Sequence, residues 1–281
     1  MFLVGCARLA LAPSDARADD FDESVRLGPR ELGLGESVLA TPVGVAAVRL
    51  NPAGAALTRS YVIEGDIGLS PAVEGRYLAA SVCDSSTARV GACVYYGHFS
   101  SEPADGARSL SEVSLTSAMP LGDALIIGIT NKYVDYEAPA GAKDPSISGY
   151  LMDAGLIARP APWFAVGVAG MNLVGHDDAR FARSLGAGAA VTFPGLTVAA
   201  DVRQDDETKT ERYGAGIEYL FGQGYPLRAG YVHDGASGAS YVTGGVGFIT
   251  PSMALDLAAR RQLGGDEGWV MTLGLRLFVP S

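Results

Sequence analysis

The sequence predicts an all-β fold, a closed antiparallel transmembrane β-barrel of about 14 strands with an N-terminal hatch in its lumen. Three observations predict it. Apolar and polar residues alternate with period two from Ser60 to Val279. The connectors sort into tight turns and longer polar loops, in turn. No apolar run beyond the N-terminus approaches the roughly 18–20 residues of a membrane helix. Composition agrees: in 281 residues, 48% are hydrophobic, 19% are charged and 37 are glycine. The net charge of −10 argues against a nucleic-acid partner.

The chain divides into three parts. Residues 1–18 read as an export signal: Met1 to Pro13 are mostly apolar, and Ala16-Arg17-Ala18 offers a small-x-small cleavage site. Leu3-Val4-Gly5-Cys6 also resembles a lipoprotein lipobox, after a very short apolar stretch. Cleavage would remove Cys6 and leave Cys83 and Cys93, a pair compatible with one disulfide in an exported protein.

Residues 19–57 are irregular and rich in glycine and alanine, and are expected to plug the lumen. A ring of about 14 strands is wider than its own side chains can fill, since roughly eight strands reach that limit. Leu34, Val38, Val43 and Val45 would supply apolar contacts inside an otherwise polar lumen. Asn51 before Pro52 is a turn signal, and Gly54 is expected to supply a positive φ. A disordered tail is the other reading of this segment.

Residues 58–281 carry the alternation. In Tyr61–Leu69, odd positions are apolar or glycine, and Glu64 and Asp66 share the other face. The pattern recurs down to Met271–Val279, where Leu273, Leu275 and Leu277 oppose Thr272, Gly274 and Arg276. It is weakest at 89–99 and 239–249. Short connectors fall at 119–123, 159–162, 193–195, 222–226 and 250–252, most with proline. Longer ones fall at 100–109, 137–146, 175–182, 204–210, 234–240 and 264–268. That division is the pattern of a bacterial outer-membrane barrel. A soluble all-β protein is the alternative, and the charges weigh against it. A wide lumen tolerates Glu64, Asp66, Lys132, Asp153, Asp201, Arg203, Glu218, Asp256 and Arg276 if wet or mutually paired. The apolar row then faces lipid and lipopolysaccharide. Thr272-x-Gly274-x-x-Leu277-x-Val279 resembles the C-terminal insertion signal of outer-membrane proteins, though Pro280-Ser281 follows where an aromatic is usual.

Arg30-Glu31-Leu32-Gly33-Leu34-Gly35-Glu36, an alanine- and valine-rich stretch and Asn51-Pro52-Ala53-Gly54-Ala55-Ala56-Leu57 resemble the N-terminal hatch of FadL-type long-chain fatty-acid transporters. They are similar too to the related PorV-like proteins of a bacterial secretion system. Glu36 stands where that pattern usually has glycine. The resemblance implies an outer-membrane barrel for passive uptake or export of small hydrophobic molecules. In it, Asn51, Pro52, Ala53 and Gly54 form the gate, and Glu64, Asp66, Lys132, Asp201, Arg203 and Arg276 line the lumen. The PorV side implies the second reading, a scaffold or shuttle barrel of an envelope protein complex, which short loops favour.

Other chemistry is weakly represented. Cys83 and Cys93 fall on one inward row of consecutive strands and could pair across them, or stay buried thiols. His98, His176 and His233 lack a GxSxG partner motif, and no Cys–His spacing fits zinc, so neither enzyme nor cofactor is expected. The acidic pairs at 177–178, 205–207 and 266–267 read as solvated surface, with divalent-bridged lipopolysaccharide as the other possibility. Gly186–Gly188 and Gly244–Gly247 read as close backbone packing, with the plug as the expected neighbour, rather than as phosphate loops.

Overall fold

The structure, a computed structural model, describes residues 23–280 except 104–105, 140, 143–144, 176–177 and 265–267. The export segment 1–18, the lipobox-like stretch, His176, Asp177, Asp266 and Glu267 lie outside the described residues.

Fourteen antiparallel strands close into a barrel, each paired with its neighbours in sequence and β1 closing on β14. In order they are β1 (Tyr61–Ser70), β2 (Gly75–Asp84), β3 (Gly91–Ser101), β4 (Arg108–Leu121), β5 (Leu125–Glu137), β6 (Ile147–Ala161) and β7 (Phe164–Val174). Then follow β8 (Ser184–Phe193), β9 (Leu196–Asp205), β10 (Glu211–Phe221), β11 (Tyr225–Asp234), β12 (Ser240–Ile249), β13 (Met253–Leu263) and β14 (Trp269–Val279). Closure leaves no sheet edge, which is the condition for a β-structure in hydrocarbon.

The connectors sort by end as the alternation requires, with the first two hairpins reversed. The turn at 71–74 is short among long loops, and that at 85–90 is long among tight turns. Pro120, Pro160 and Pro226, read from sequence as turn residues, lie inside strand ends. Strand ends can spare a donor, and Pro160 sits in a register irregularity between Ala158 and Ala161 where no ladder bond is lost.

The outward rows are apolar. Leu78, Leu115, Ile129, Val168, Ile217, Leu227, Val246, Leu257 and Leu273 are all exposed, Leu78 by 58%. Trp163, Phe193, Tyr219, Phe221, Tyr225 and Phe248 cluster toward the tight turns, and Tyr133, Tyr150, Tyr213, Tyr231 and Trp269 toward the long loops. An apolar band between two aromatic girdles is a surface that lipid covers. Among the described residues no helix is long and apolar enough to cross a membrane. Leu273 lies near the middle of β14 on this band. Leu273→Arg is expected to cost about 2–4 kcal/mol in reversible folding into bilayers, read from the denaturant midpoint.

The inward rows carry the charges, and residues 23–57 lie against them. Glu64, Asp66, Glu112, Lys132, Asp153, Asp201, Arg228, Asp256 and Arg260 are all buried. The lumen is not uniformly polar, however. Tyr77, Phe99, Leu110, Val134, Tyr136, Leu151 and Phe181 form a buried apolar cluster on the β2–β6 side, joined to Val45, Val48 and Ala55 of the N-terminal segment. Sequence alternation missed it because those strands carry apolar residues on both faces.

Candidate functional site

The candidate site is the contact between residues 23–57 and the inner wall. Two short helices organise the segment, α1 (Pro29–Gly33) and α2 (Val45–Arg49), followed by a 3-10 turn at Pro52–Ala56. Proline opens α1 and the 3-10 turn, where its fixed φ suits a helix start and its missing N–H is not needed. Leu32, Leu34, Val38, Val45 and Val48 are fully buried.

Glycines on the wall make room for this segment. A side chain at Gly216 would overlap the Leu34 carbonyl, and one at Gly214 would overlap that of Gly35. At Gly167 it would meet the Leu39 carbonyl, at Gly128 the Pro52 backbone and at Gly155 the Asn51 side chain. Gly186 and Gly188 face Leu39, and Gly245 faces Gly33. Backbone thus packs on backbone around most of the circumference.

Asn51 is fully buried and ties three pieces together. Its Oδ1 accepts from Ala53 N at 3.2 Å, capping the turn. Its Nδ2 donates to the Leu39 carbonyl at 2.7 Å and to Leu156 of β6 at 3.3 Å. Gly54 does not adopt the positive φ expected of it. It is glycine because Pro42 lies too close for a Cβ, with Pro42 Cγ and O each 2.6 Å from where that atom would stand.

Charges then pin the segment. Arg26 donates to Glu112 at 2.7 Å. Arg30 reaches Glu218 at 3.3 Å, and a chain continues through Arg228 to Asp256 and Arg276 at 2.6 Å per step. Arg276 also lies 3.8 Å from Glu64, whose Oε2 accepts from Val45 N at 2.8 Å. Asp201 accepts from Leu39 N at 2.8 Å, while Lys132 pairs with Asp153 at 2.8 Å on the wall itself. Asp66 is buried next to Glu31 and Gly274, and neither of its oxygens has a hydrogen-bond partner among the described residues.

Glu36 is the most heavily bound of these groups. It has φ +62°, as does Gly35 before it. Both its oxygens accept from Arg212 at 2.8 Å, Arg260 lies at 3.5 Å and Arg203 at 3.9 Å. Arg203 also donates to the Glu36 carbonyl. Alternation placed Arg203 and Arg260 on the inner face but did not single out Arg212, Arg228 or Arg260 as partners. The available signal was the mixture of charges itself: inward acids and bases in similar number, facing a segment that carries both Glu31 and Glu36 and Arg26, Arg30 and Arg49.

Cys83 and Cys93 face each other across β2 and β3 and form a disulfide, with Cα atoms 4.1 Å apart. Alkylation without reductant is expected to leave both unmodified, and after reduction to add two labels, read by intact mass. His98 and His233 lie on the outward row, each with a serine neighbour: Ser111 Oγ at 3.0 Å and Ser240 Oγ at 3.1 Å. The acidic loop at 205–207 is self-satisfied, since Asp205 accepts from its own turn and Asp206 pairs with Lys209. Among the described residues no His, Cys, Asp or Glu cluster has metal-holding geometry.

No protein-family profile and no curated protein matches the chain. Solved structures do. The Ralstonia pickettii toluene transporter TbuX superposes with a TM-score of 0.70 at 14% identity, over 90% of this chain and 98% of that one. The fold is that of the TbuX barrel. The P. putida toluene transporter TodX gives 0.67 at 12% identity over 91% and 99% of the two chains. A Pseudomonas aeruginosa FadL homologue gives 0.64 at 10% identity over 89% and 98%. These barrels share the closed sheet described above, and the FadL-type likeness read from the N-terminal motifs agrees with them.

Proposed function

We propose that this barrel sits in a bacterial outer membrane and passes small hydrophobic molecules passively, with residues 23–57 as the gate. The observation that carries it is the inward apolar cluster of Tyr77, Phe99, Leu110, Tyr136 and Phe181, which reaches from the long-loop side down to the segment. A general diffusion pore has no use for a greasy inner wall; these side chains are buried at rest, and a hydrophobic solute leaving an aqueous medium is stabilised by them when the gate shifts and uncovers them. The toluene-transporting barrels of the same fold support the substrate class. In this reading Asn51, Pro52, Ala53 and Gly54 form the hinge of the gate, and Glu64, Asp201, Arg203 and Arg276 hold it. Lys132 and Asp66 complete the polar wall. Lipid and lipopolysaccharide cover the outer band.

The test is initial uptake of radiolabelled toluene by outer-membrane vesicles rich in lipopolysaccharide, which slows unassisted entry. Vesicles with the barrel are expected to take up toluene about tenfold faster than those without. Equal rates, also in a variant lacking residues 23–57, would instead favour the scaffold reading. The density of ion pairs fixing the segment is what favours that second reading.

A further inference from the structure

A cavity of about 180 Å³ lies at the tight-turn end, between the wall and the N-terminal segment. Its floor is one rung of the sheet. Phe278 of β14 is opposite Val62 of β1, Val62 is opposite Cys83 of β2, and Cys83 is opposite Cys93 of β3. Its roof is Val43, Ala47 and Ala55. Arg276, on the next inward position of β14, closes the inner end.

We propose that this cavity is an inner-side binding subsite for one uncharged single-ring hydrocarbon, the last station before release. The proposal rests on the transport reading above and adds a place and a size to it. The volume decides the size, because apolar cavities of about 150 Å³ hold one benzene ring. The lining decides polarity: a phenyl ring, four aliphatic or methyl-bearing side chains and a disulfide offer contact, while Thr58, Ser60 and Ser85 make one polar edge, where the Ser85 hydroxyl is already engaged by the Thr58 carbonyl and the Ser60 N–H. Arg276 decides the charge. Its guanidinium is already held by Asp256 and Glu64. An incoming carboxylate would have to compete with those two buried acids after losing its own hydration. A neutral ring asks for nothing beyond a cation–π contact. The place of the cavity fits a station, since the roof belongs to the segment that the transport reading moves.

Crystals of the full barrel soaked in iodobenzene test the site directly. The expected result is an anomalous iodine peak between Val62 and Phe278, absent from crystals soaked in 4-iodobenzoate and from the Val62→Phe variant, which fills the cavity. Phe278→Ala enlarges it and is expected to admit 1-iodonaphthalene. Toluene uptake by Val62→Phe is expected to fall about tenfold. Iodine peaks confined to other parts of the lumen, or none at all, overturn the proposal. So does uptake by Val62→Phe equal to wild type while the barrel still migrates as a folded species without heating. Occupancy of the cavity in a barrel that carries no toluene upholds the subsite and overturns the transport reading, so the two fail separately.

Discussion

Replacing Gly216 by valine is expected to drive residues 23–57 out of the lumen and leave an open pore. The Leu34 carbonyl occupies the space where the new Cβ would stand, and the obstacle is backbone rather than a side chain that can swing aside. Neither β10 nor α1 can yield, because β10 is hydrogen-bonded on both sides and α1 is wedged against β12, β13 and β14. Overpacking of a tight interface costs about 1–3 kcal/mol for a methylene or two, and three carbons against a peptide group exceed that. Gly65 is the control: it faces outward, and a Cβ there would meet only the Ala79 carbonyl, at 3.8 Å. Gly216→Val should show large steady conductance in planar bilayers and protease-accessible residues 23–57, while Gly65→Val should match wild type. A silent Gly216→Val channel with a protected segment would show that the wall can deform, against the view of the glycines as a fitted seat.

The second large effect is expected at Glu36. A backbone argument favours glycine there, since a left-handed residue with a side chain costs about 1 kcal/mol. Electrostatics argues the other way and with larger numbers. Glu36→Gly removes the carboxylate on which Arg203, Arg212 and Arg260 converge; Arg212 keeps Asp234 and Arg260 keeps the Tyr241 ring, and breaking a buried ion pair costs up to about 3–5 kcal/mol. Glu36→Gly is therefore expected to loosen the segment despite relieving φ, and Glu36→Gln to loosen it nearly as much. Limited proteolysis of residues 23–57 reads both. Acid should reproduce the effect. Burial alone would raise the Glu36 carboxyl above its ordinary 4.5, but Arg212, then Arg260 and Arg203, hold it at about 2. The folded value is thus the lower one. Its contribution is complete above about pH 4.5 and is lost as the pH falls through about 2. Protease protection in wild type should decline over that window, and in Glu36→Gln that step should be missing. A Glu36→Gly variant as protected as wild type would place the cost in the backbone instead.

Most of the barrel was legible because hydrocarbon imposes a rule on every second residue. Leu273, Leu275 and Leu277 could only face lipid, and strand number followed. The two weak stretches fail the rule for physical reasons. In β3, Cys93, Tyr95 and Phe99 point inward into the apolar cluster, so both faces look greasy. In β12, glycine stands on both rows, outward at Gly244 and inward at Gly245 and Gly247, so neither face is marked. The inner wall was only half legible. Parity placed Glu64, Asp201, Arg203 and Arg276 in the lumen, but which charge meets which depends on distances across it, and no periodicity encodes those. Arg212, Arg228 and Arg260 were therefore missed as partners. Gly54 was misread because a glycine is as often a contact as a turn.

The pairing of β1 with β14 sets an order on biogenesis. The first strand made finds its second neighbour only when the last has been synthesised, so the ring stays open throughout assembly. The segment that fills it is made earliest of the ordered parts and interlocks, through backbone, with strands from nearly every quarter of the wall. Entry end-on into a finished ring would require all those contacts to form at once in a space already its own width. The interlocked contacts favour an order in which the inner guest already lies beside the early strands while the later ones are laid around it.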